Sequence, residues 1–135
     1  MDIVMSLQTV GSFLLYFGLA LVAEVLFLFL YMAVTTHHEA ALIKQGNVAA
    51  AISLAGALLG FTLPLASAII HSVSLLDMAV WSAIAIVVQL AVFKVMDVAL
   101  REVSRRIEDG NVAAGVTLAA SSLSIGVVNA ACMTY

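Results

Sequence analysis

The chain has one cysteine, one proline, one tryptophan and five lysines or arginines among 135 residues, and each shortage removes an explanation. A single Cys132 excludes an intramolecular disulfide, and with no partner residues beside it in sequence it makes no case for a nucleophile or a ligand. A formal net charge of −3 and the absence of a basic cluster leave no footprint for nucleic acid. The first lysine is Lys44 and the only early charge is Asp2. The amino-terminal apolar stretch therefore lacks the basic opening of a secretory signal peptide and is expected to be retained as a membrane span. With one proline and no Gly/Ser linker or composition break, residues 1–135 read as a single membrane domain. A glycine-rich phosphate loop, a serine-centred elbow and a zinc signature are all missing from the sequence. An enzyme is the least supported class, and neither a cofactor nor a metal is expected.

What is present is apolar: 64% of the residues are hydrophobic and 10% charged, against about 25% charged in a soluble domain. A chain this short cannot hide that surface in its own core, because small domains bury the smallest fraction of their surface. Lipid, or other copies of the chain, must cover the rest. No Asp, Glu, Lys or Arg occurs from Asn47 to Leu76 or from Gly110 to Tyr135, Val10 to Val34 contains only Glu24, and Met78 to Phe93 is uncharged up to Lys94. Runs of this length meet the roughly 20 residues that cross about 30 Å of hydrocarbon. The expected fold is an all-α membrane protein with four transmembrane helices, at about residues 11–35, 48–70, 76–98 and 112–133. No long alternation of polarity supports membrane strands.

The basic residues orient these spans. Lys44 lies between the first and second, whereas Lys94, Arg101, Arg105 and Arg106 lie at the end of the third and before the fourth. The positive-inside rule then places both basic connections in the cytoplasm and both termini outside. Trp81, Tyr16 and Tyr135 fall near the expected outer interface and Tyr31 near the inner one, where amphipathic aromatics are favoured.

The chain also repeats itself at an offset of 64 residues. Ile43 to Ala55 (IKQGNVAAAISLA) aligns with Ile107 to Ala119 (IEDGNVAAGVTLA), with eight of thirteen positions identical. Two tandem two-helix hairpins, about residues 8–71 and 72–135, follow. Because each has an even number of spans, the copies are expected to be parallel, related by an axis along the membrane normal. Glycine ends helices in the left-handed conformation and asparagine starts them, so Gly46-Asn47 and Gly110-Asn111 read as helix-reversal turns. The alternative is an anion-binding loop at the following helix N-terminus. With Gly60-Phe61-Thr62-Leu63-Pro64 in the first copy and Asn129-Ala130-Ala131-Cys132 closing the second, the chain resembles the YjfL-like family of small bacterial inner-membrane proteins, whose shared domain has no assigned function. The resemblance covers nearly the whole chain. It implies four spans in a bacterial inner membrane, with some relatives in envelope-stress gene neighbourhoods, and supplies no ligand or catalytic residue.

Glu24 lies near the middle of the first span, where a charge costs about 2.5 to 3.5 kcal/mol on insertion scales. Its counterpart in the repeat is Val88, so Gln89, one residue on, is the expected hydrogen-bond partner. Glu24, Gln89, Asp97 and Lys94 form the candidate intramembrane polar site, read either as a proton or cation site or as a clamp between helices. Lys94, Asp97, Arg101, Arg105 and Glu108 make one helical stripe, with ion-pair spacings from Lys94 to Asp97, Asp97 to Arg101 and Glu102 to Arg106. It reads as a solvated face, or as a docking face of Arg101, Arg105 and Arg106 for anionic lipid or a partner. Leu100, Val103 and Ile107 form an apolar stripe on the same segment, which is either an interfacial elbow or a straight projecting hairpin. Gly56 and Gly60, with Ser122 and Gly126, have the small-x-x-x-small spacing of a helix-packing seam, within one chain or between chains. Thr117, Ser121 and Ser124 add a hydroxyl stripe, and Pro64 frees a carbonyl that Thr62, Ser67 or a neighbouring helix must satisfy. His37-His38-Glu39 is expected to be a solvent-exposed juxtamembrane cluster, since adjacent histidines face different sides of a helix.

The leading functional expectation is a self-associating scaffold or accessory module in an envelope process, embedded in the lipid bilayer and with a cytoplasmic or membrane protein partner. The competing expectation is a small oligomeric ion or proton channel or transporter that uses Glu24.

Overall fold

The computed structural model describes residues 2–134 and is helical, with no strand among the described residues. Six helices follow in order: α1 (Ile3–Val34), α2 (Glu39–Lys44), α3 (Val48–His71), α4 (Leu75–Leu100), α5 (Val103–Glu108) and α6 (Val112–Cys132). The four long ones are apolar and long enough to cross a membrane. α1 begins at Ile3 rather than near residue 11, because residues 3–10 contain no helix breaker and the Thr9 hydroxyl folds back onto the Met5 carbonyl at 2.9 Å. Its 32 residues rise about 48 Å, well beyond the hydrocarbon thickness. Tyr135 lies outside the described residues.

The two expected reversal turns form, and for the expected reason. Gly46 takes φ +82° and Gly110 φ +78°, a region open to glycine at little steric cost. The Gly46 and Asn47 amides return to the Ile43 and Leu42 carbonyls, as those of Gly110 and Asn111 do to Ile107 and Arg106. This double bond pattern closes α2 and α5 alike. Each asparagine then opens the next helix, its side chain accepting from the amide of Ala50 or Ala114. α2 and α5 are each six residues long and begin 64 residues apart.

α3 packs most extensively on α6, backbone against backbone. A Cβ added at Gly56 would lie 2.3 Å from the Ala119 Cα, at Gly60 2.4 Å from the Ser122 carbonyl oxygen, at Gly115 2.6 Å from the Ala49 carbonyl oxygen and at Gly126 2.1 Å from that of Gly60. The small-residue seam of Gly56, Gly60, Ser122 and Gly126 therefore lies within one chain. α4 lies across this pair, and α1 is laid against α3 and α4 along Ala20, Ala23, Phe27 and Tyr31.

The α4–α5 connection is an elbow and not a straight hairpin. Arg101 and Glu102 take φ +51° and +56°, a left-handed excursion that costs L residues on the order of 1 to 2 kcal/mol each. What holds it is Asp97, whose Oδ1 accepts from the Val103 amide at 3.1 Å. Val103 and Ile107 are fully buried in the chain's own core instead of facing lipid. The break also scatters the charged stripe. None of the three expected pairs is an ion pair among the described residues; Arg105 instead meets Glu102 at 3.4 Å and the Arg106 Nε donates to the Arg101 carbonyl.

Candidate functional site

Two polar centres interrupt the apolar bundle, and α1 leads to both. The first is Glu24. Its partner is Thr62 of α3, not Gln89: the Thr62 Oγ1 lies 2.5 Å from the Glu24 Oε1 and 2.8 Å from the Leu58 carbonyl oxygen of its own helix. A hydroxyl has one proton and the Leu58 oxygen can only accept. Both contacts are hydrogen bonds at once when Glu24 brings a proton of its own. The other carboxyl oxygen, Oε2, is buried without a partner. The pair sits at the outer edge of the α1–α3 contact: Glu24 is half-buried and Thr62 exposed, in line with the exposed Ala55, Leu59 and Ala66 on α3.

Gln89 serves the seam. Pro64 has no amide proton to return to the Gly60 carbonyl four residues earlier. The Gln89 Nε2, reaching from α4, donates to that carbonyl at 2.8 Å and to the Ser122 carbonyl at 3.2 Å. The freed carbonyl is thus satisfied by a neighbouring helix, and Gln89 ties α4 to both partners of the closest crossing in the molecule. Its Oε1 is buried without a partner.

The second centre lies where α1, α2, α4 and α5 meet. His37 and Glu39 are 1% and 2% exposed, which overturns the expectation of a solvated cluster; only His38 is exposed. α1 ends at Val34, so the two side chains are set by an irregular turn that aims both inward and not by helical spacing. The His37 Nδ1 is 2.9 Å from the Ser104 Oγ of α5. Thr35 donates to the Glu39 Oε1 at 2.5 Å. The same oxygen is 3.3 Å from the His37 Nε2, close enough for charge attraction but off the line of a hydrogen bond. Burial holds the His37 imidazole down to about 4, against the pull of the nearby Asp97. Burial also pushes the Glu39 carboxyl above its usual range, opposed by its bond from Thr35. Burial thus favours the uncharged form of both groups. Tyr31 is buried as well, at 1% exposure, wedged between Phe27 and Phe93 with its hydroxyl unpartnered; it is a core residue and not an interfacial anchor.

The four residues grouped from sequence therefore go to different places: Glu24 to the α1–α3 edge, Gln89 to the seam, Asp97 to the elbow and Lys94 to the exposed surface. Arg101, Arg105 and Arg106 are exposed at the α2–α5 end, as a docking face requires. The hydroxyls of Thr117 and Ser121 return to carbonyls of their own helix at 2.8 Å, while their side chains line an open, apolar groove of about 800 Å³ between α4 and α6. His71 is held in α3 by its Nδ1, 2.9 Å from the Ser67 carbonyl oxygen. Sequence reasoning missed Tyr31, Thr35, His37, Glu39 and Ser104 as one cluster. The available signal was Ser104, a small hydroxyl beside the apolar Val103 in an otherwise charged run from Arg101 to Arg106.

The family model described as Domain of Unknown Function (DUF350) matches residues 5–133. The UPF0719 inner membrane protein YjfL of Escherichia coli (strain K12) is 40% identical over 129 residues, covering 96% of this chain and 98% of that one. The protein of the same name from Escherichia coli O157:H7 is similar to the same extent. No solved structure matches. The chain belongs to the DUF350 family.

Proposed function

We propose that this family member is a self-associating module of a bacterial inner membrane, with both termini outside the cytoplasm, acting as a scaffold or accessory in an envelope process. The observation that carries the reading is the position of Glu24 and Thr62. An ionisable group and a hydroxyl at mid-span depth lie on the outer edge of the bundle, where lipid cannot satisfy them. A second copy laid on the α1–α3 edge would cover them. The small-residue seam does not serve this contact, because α3 and α6 of one chain consume it. The name of the Escherichia coli relative supports the membrane assigned. The basic residues support the orientation, since Lys44, Arg101, Arg105 and Arg106 are exposed at the same end of the bundle. The equal lengths and 64-residue offset of α2 and α5 support descent from a duplicated hairpin. The exposed arginines are the face proposed for a cytoplasmic partner.

The test is oxidative cross-linking in native membranes in a Cys132→Ser background. Leu59→Cys and Ala66→Cys, on the proposed face, are expected to give disulfide-linked dimers, and Val87→Cys, exposed on α4, is not. Monomers throughout, or equal dimer from all three, would overturn the proposal.

A second reading is favoured by the unpartnered Glu24 Oε2: the carboxyl is a proton-binding group on an ion or proton path formed between copies. In sealed liposomes under a pH gradient, wild type is expected to pass protons and Glu24→Gln to lose that flux. Equal flux through both, or none through either, would remove this reading.

A further inference from the structure

We infer that Glu24 exchanges its proton with the α2–α5 side of the membrane along the inner face of α1, by way of Tyr31 and the Glu39–His37 pair. The inference rests on the reading of Glu24 as a protonatable site and not on self-association.

Three observations converge on it. First, Glu24 and Tyr31 are seven residues apart and so fall on one face of α1, and Thr35 caps the end of that helix, its amide bonded to the Tyr31 carbonyl. Helical side chains lean toward the N-terminus, which tips the Tyr31 hydroxyl back along α1 in the direction of Glu24. Second, three of the buried polar atoms without a partner mark this line: Glu24 Oε2, Tyr31 Oη and His37 Nε2, with Gln89 Oε1 on the adjoining seam. Buried polar atoms in native proteins are satisfied by protein or by ordered water. The inferred route takes bridging water as the partner of each of these atoms. Third, the line ends in groups that can pass a proton. Glu39 lies within electrostatic reach of Tyr31, accepts from Thr35, and shares its Oε1 with His37, which meets Ser104. Asp97 of α4 lies within electrostatic reach of His37, and the neighbouring His38 is exposed to solvent.

The opposite half of α1 offers no such line. Its inward residues toward the N-terminus are Ala20 and Ala23, and no buried unpartnered polar atom lies on α1 before Glu24 among the described residues. The remaining one among the described residues, Asn129 Nδ2, belongs to α6. Phe27, Phe61 and Phe93 wall the line, with Phe27 stacked on Phe61 at 4.5 Å and Phe93 edge-on to Tyr31 at 5.8 Å. In transfer each group gives up one proton and takes another: the Glu24 carboxyl proton passes to water, water protonates the next acceptor, and Glu39 or His37 releases one outward. Nothing is oxidised or reduced, and one proton moves.

Hydrogen–deuterium exchange of the Glu24 carboxyl tests this, followed by infrared spectroscopy of the full chain in lipid vesicles. The band is assigned by its loss in Glu24→Gln. Exchange is expected to slow by about tenfold in Tyr31→Phe, the rate equivalent of one lost hydrogen-bonded link. Glu39→Gln is expected to act in the same direction, and Tyr16→Phe, on the other half of α1, to leave the rate unchanged. Wild-type exchange in both Tyr31→Phe and Glu39→Gln would overturn the inference. So would equal slowing in Tyr16→Phe, or the absence of any carboxyl band that depends on Glu24. Intact exchange without proton flux would sink the transport reading and leave this route standing.

Discussion

Replacing Gly126 by leucine is expected to abolish the folded bundle, and replacing it by alanine to cost about 3 kcal/mol, at the upper end of what overpacking costs. The reason is that the obstacle is backbone. A Cβ at residue 126 would stand 2.1 Å from the Gly60 oxygen and 2.7 Å from the Gly60 Cα, and neither can swing aside as a side chain would. α3 and α6 would have to part, and parting them also lengthens the bonds from Gln89 to Gly60 and Ser122. Gln89→Leu alone is expected to cost about 1 to 3 kcal/mol, because the Gly60 carbonyl that Pro64 leaves free loses its donor. Combined with Gly126→Ala it should cost less than the sum, since both changes break one crossing. The control is Gly18→Ala: nothing lies within 4 Å of a Cβ there, so the change should be neutral or stabilise by up to about 1 kcal/mol through helix propensity. Unfolding midpoints in detergent, with circular dichroism as the signal, check all five variants. A tolerated Gly126→Leu would mean that α3 and α6 do not meet where the structure places them.

How much of this was legible in the sequence follows from which forces are local. The four long helices were, because long runs of predominantly apolar residues admit few other structures in lipid. So were the turns at Gly46-Asn47 and Gly110-Asn111, where one residue supplies a left-handed end and the next a cap. The small-residue spacing announced close packing but not its partner: glycine permits an approach and does not say of what. Glu24 announced a polar site, yet its bond goes to Thr62, 38 residues away on a neighbouring helix, and only the way α1 lies on α3 brings the two together. The His37–Glu39 cluster was hidden by a rule applied outside its range. Adjacent residues point apart on a helix, but α1 stops at Val34 and the intervening turn aims both side chains into the core. The elbow at Arg101 and Glu102 was equally hidden, since no Gly or Pro marks it and a long-range bond from Asp97 holds it.

That buried cluster leads to the second large effect, a stability that His37 lowers in acid and Glu39 lowers as pH rises. For His37 the folded value is lowered, from 6.5 to about 4. The unfolded chain therefore binds the imidazole proton first, and the stability that His37 contributes is lost as pH falls from 6.5 through 4. For Glu39 the folded value is raised above 4.5, so the folded chain holds that proton longer. Its contribution is complete below 4.5 and is lost as pH rises toward the folded value. Through the mildly acid range the two groups therefore act in opposite directions, His37 weakening the fold as pH falls and Glu39 as it rises. The unfolding midpoint measured against pH should accordingly show an acid limb set by His37 and an alkaline limb set by Glu39. His37→Gln is expected to remove the acid limb and Glu39→Gln the alkaline one, so each single variant becomes monotonic in the direction the other group dictates. Glu39→Ala goes further, because it strips the buried Thr35 hydroxyl of its acceptor and removes the carboxyl beside His37, a loss of about 1 to 3 kcal/mol. A flat profile in wild type would show that His37 and Glu39 titrate in the folded chain as they do in water.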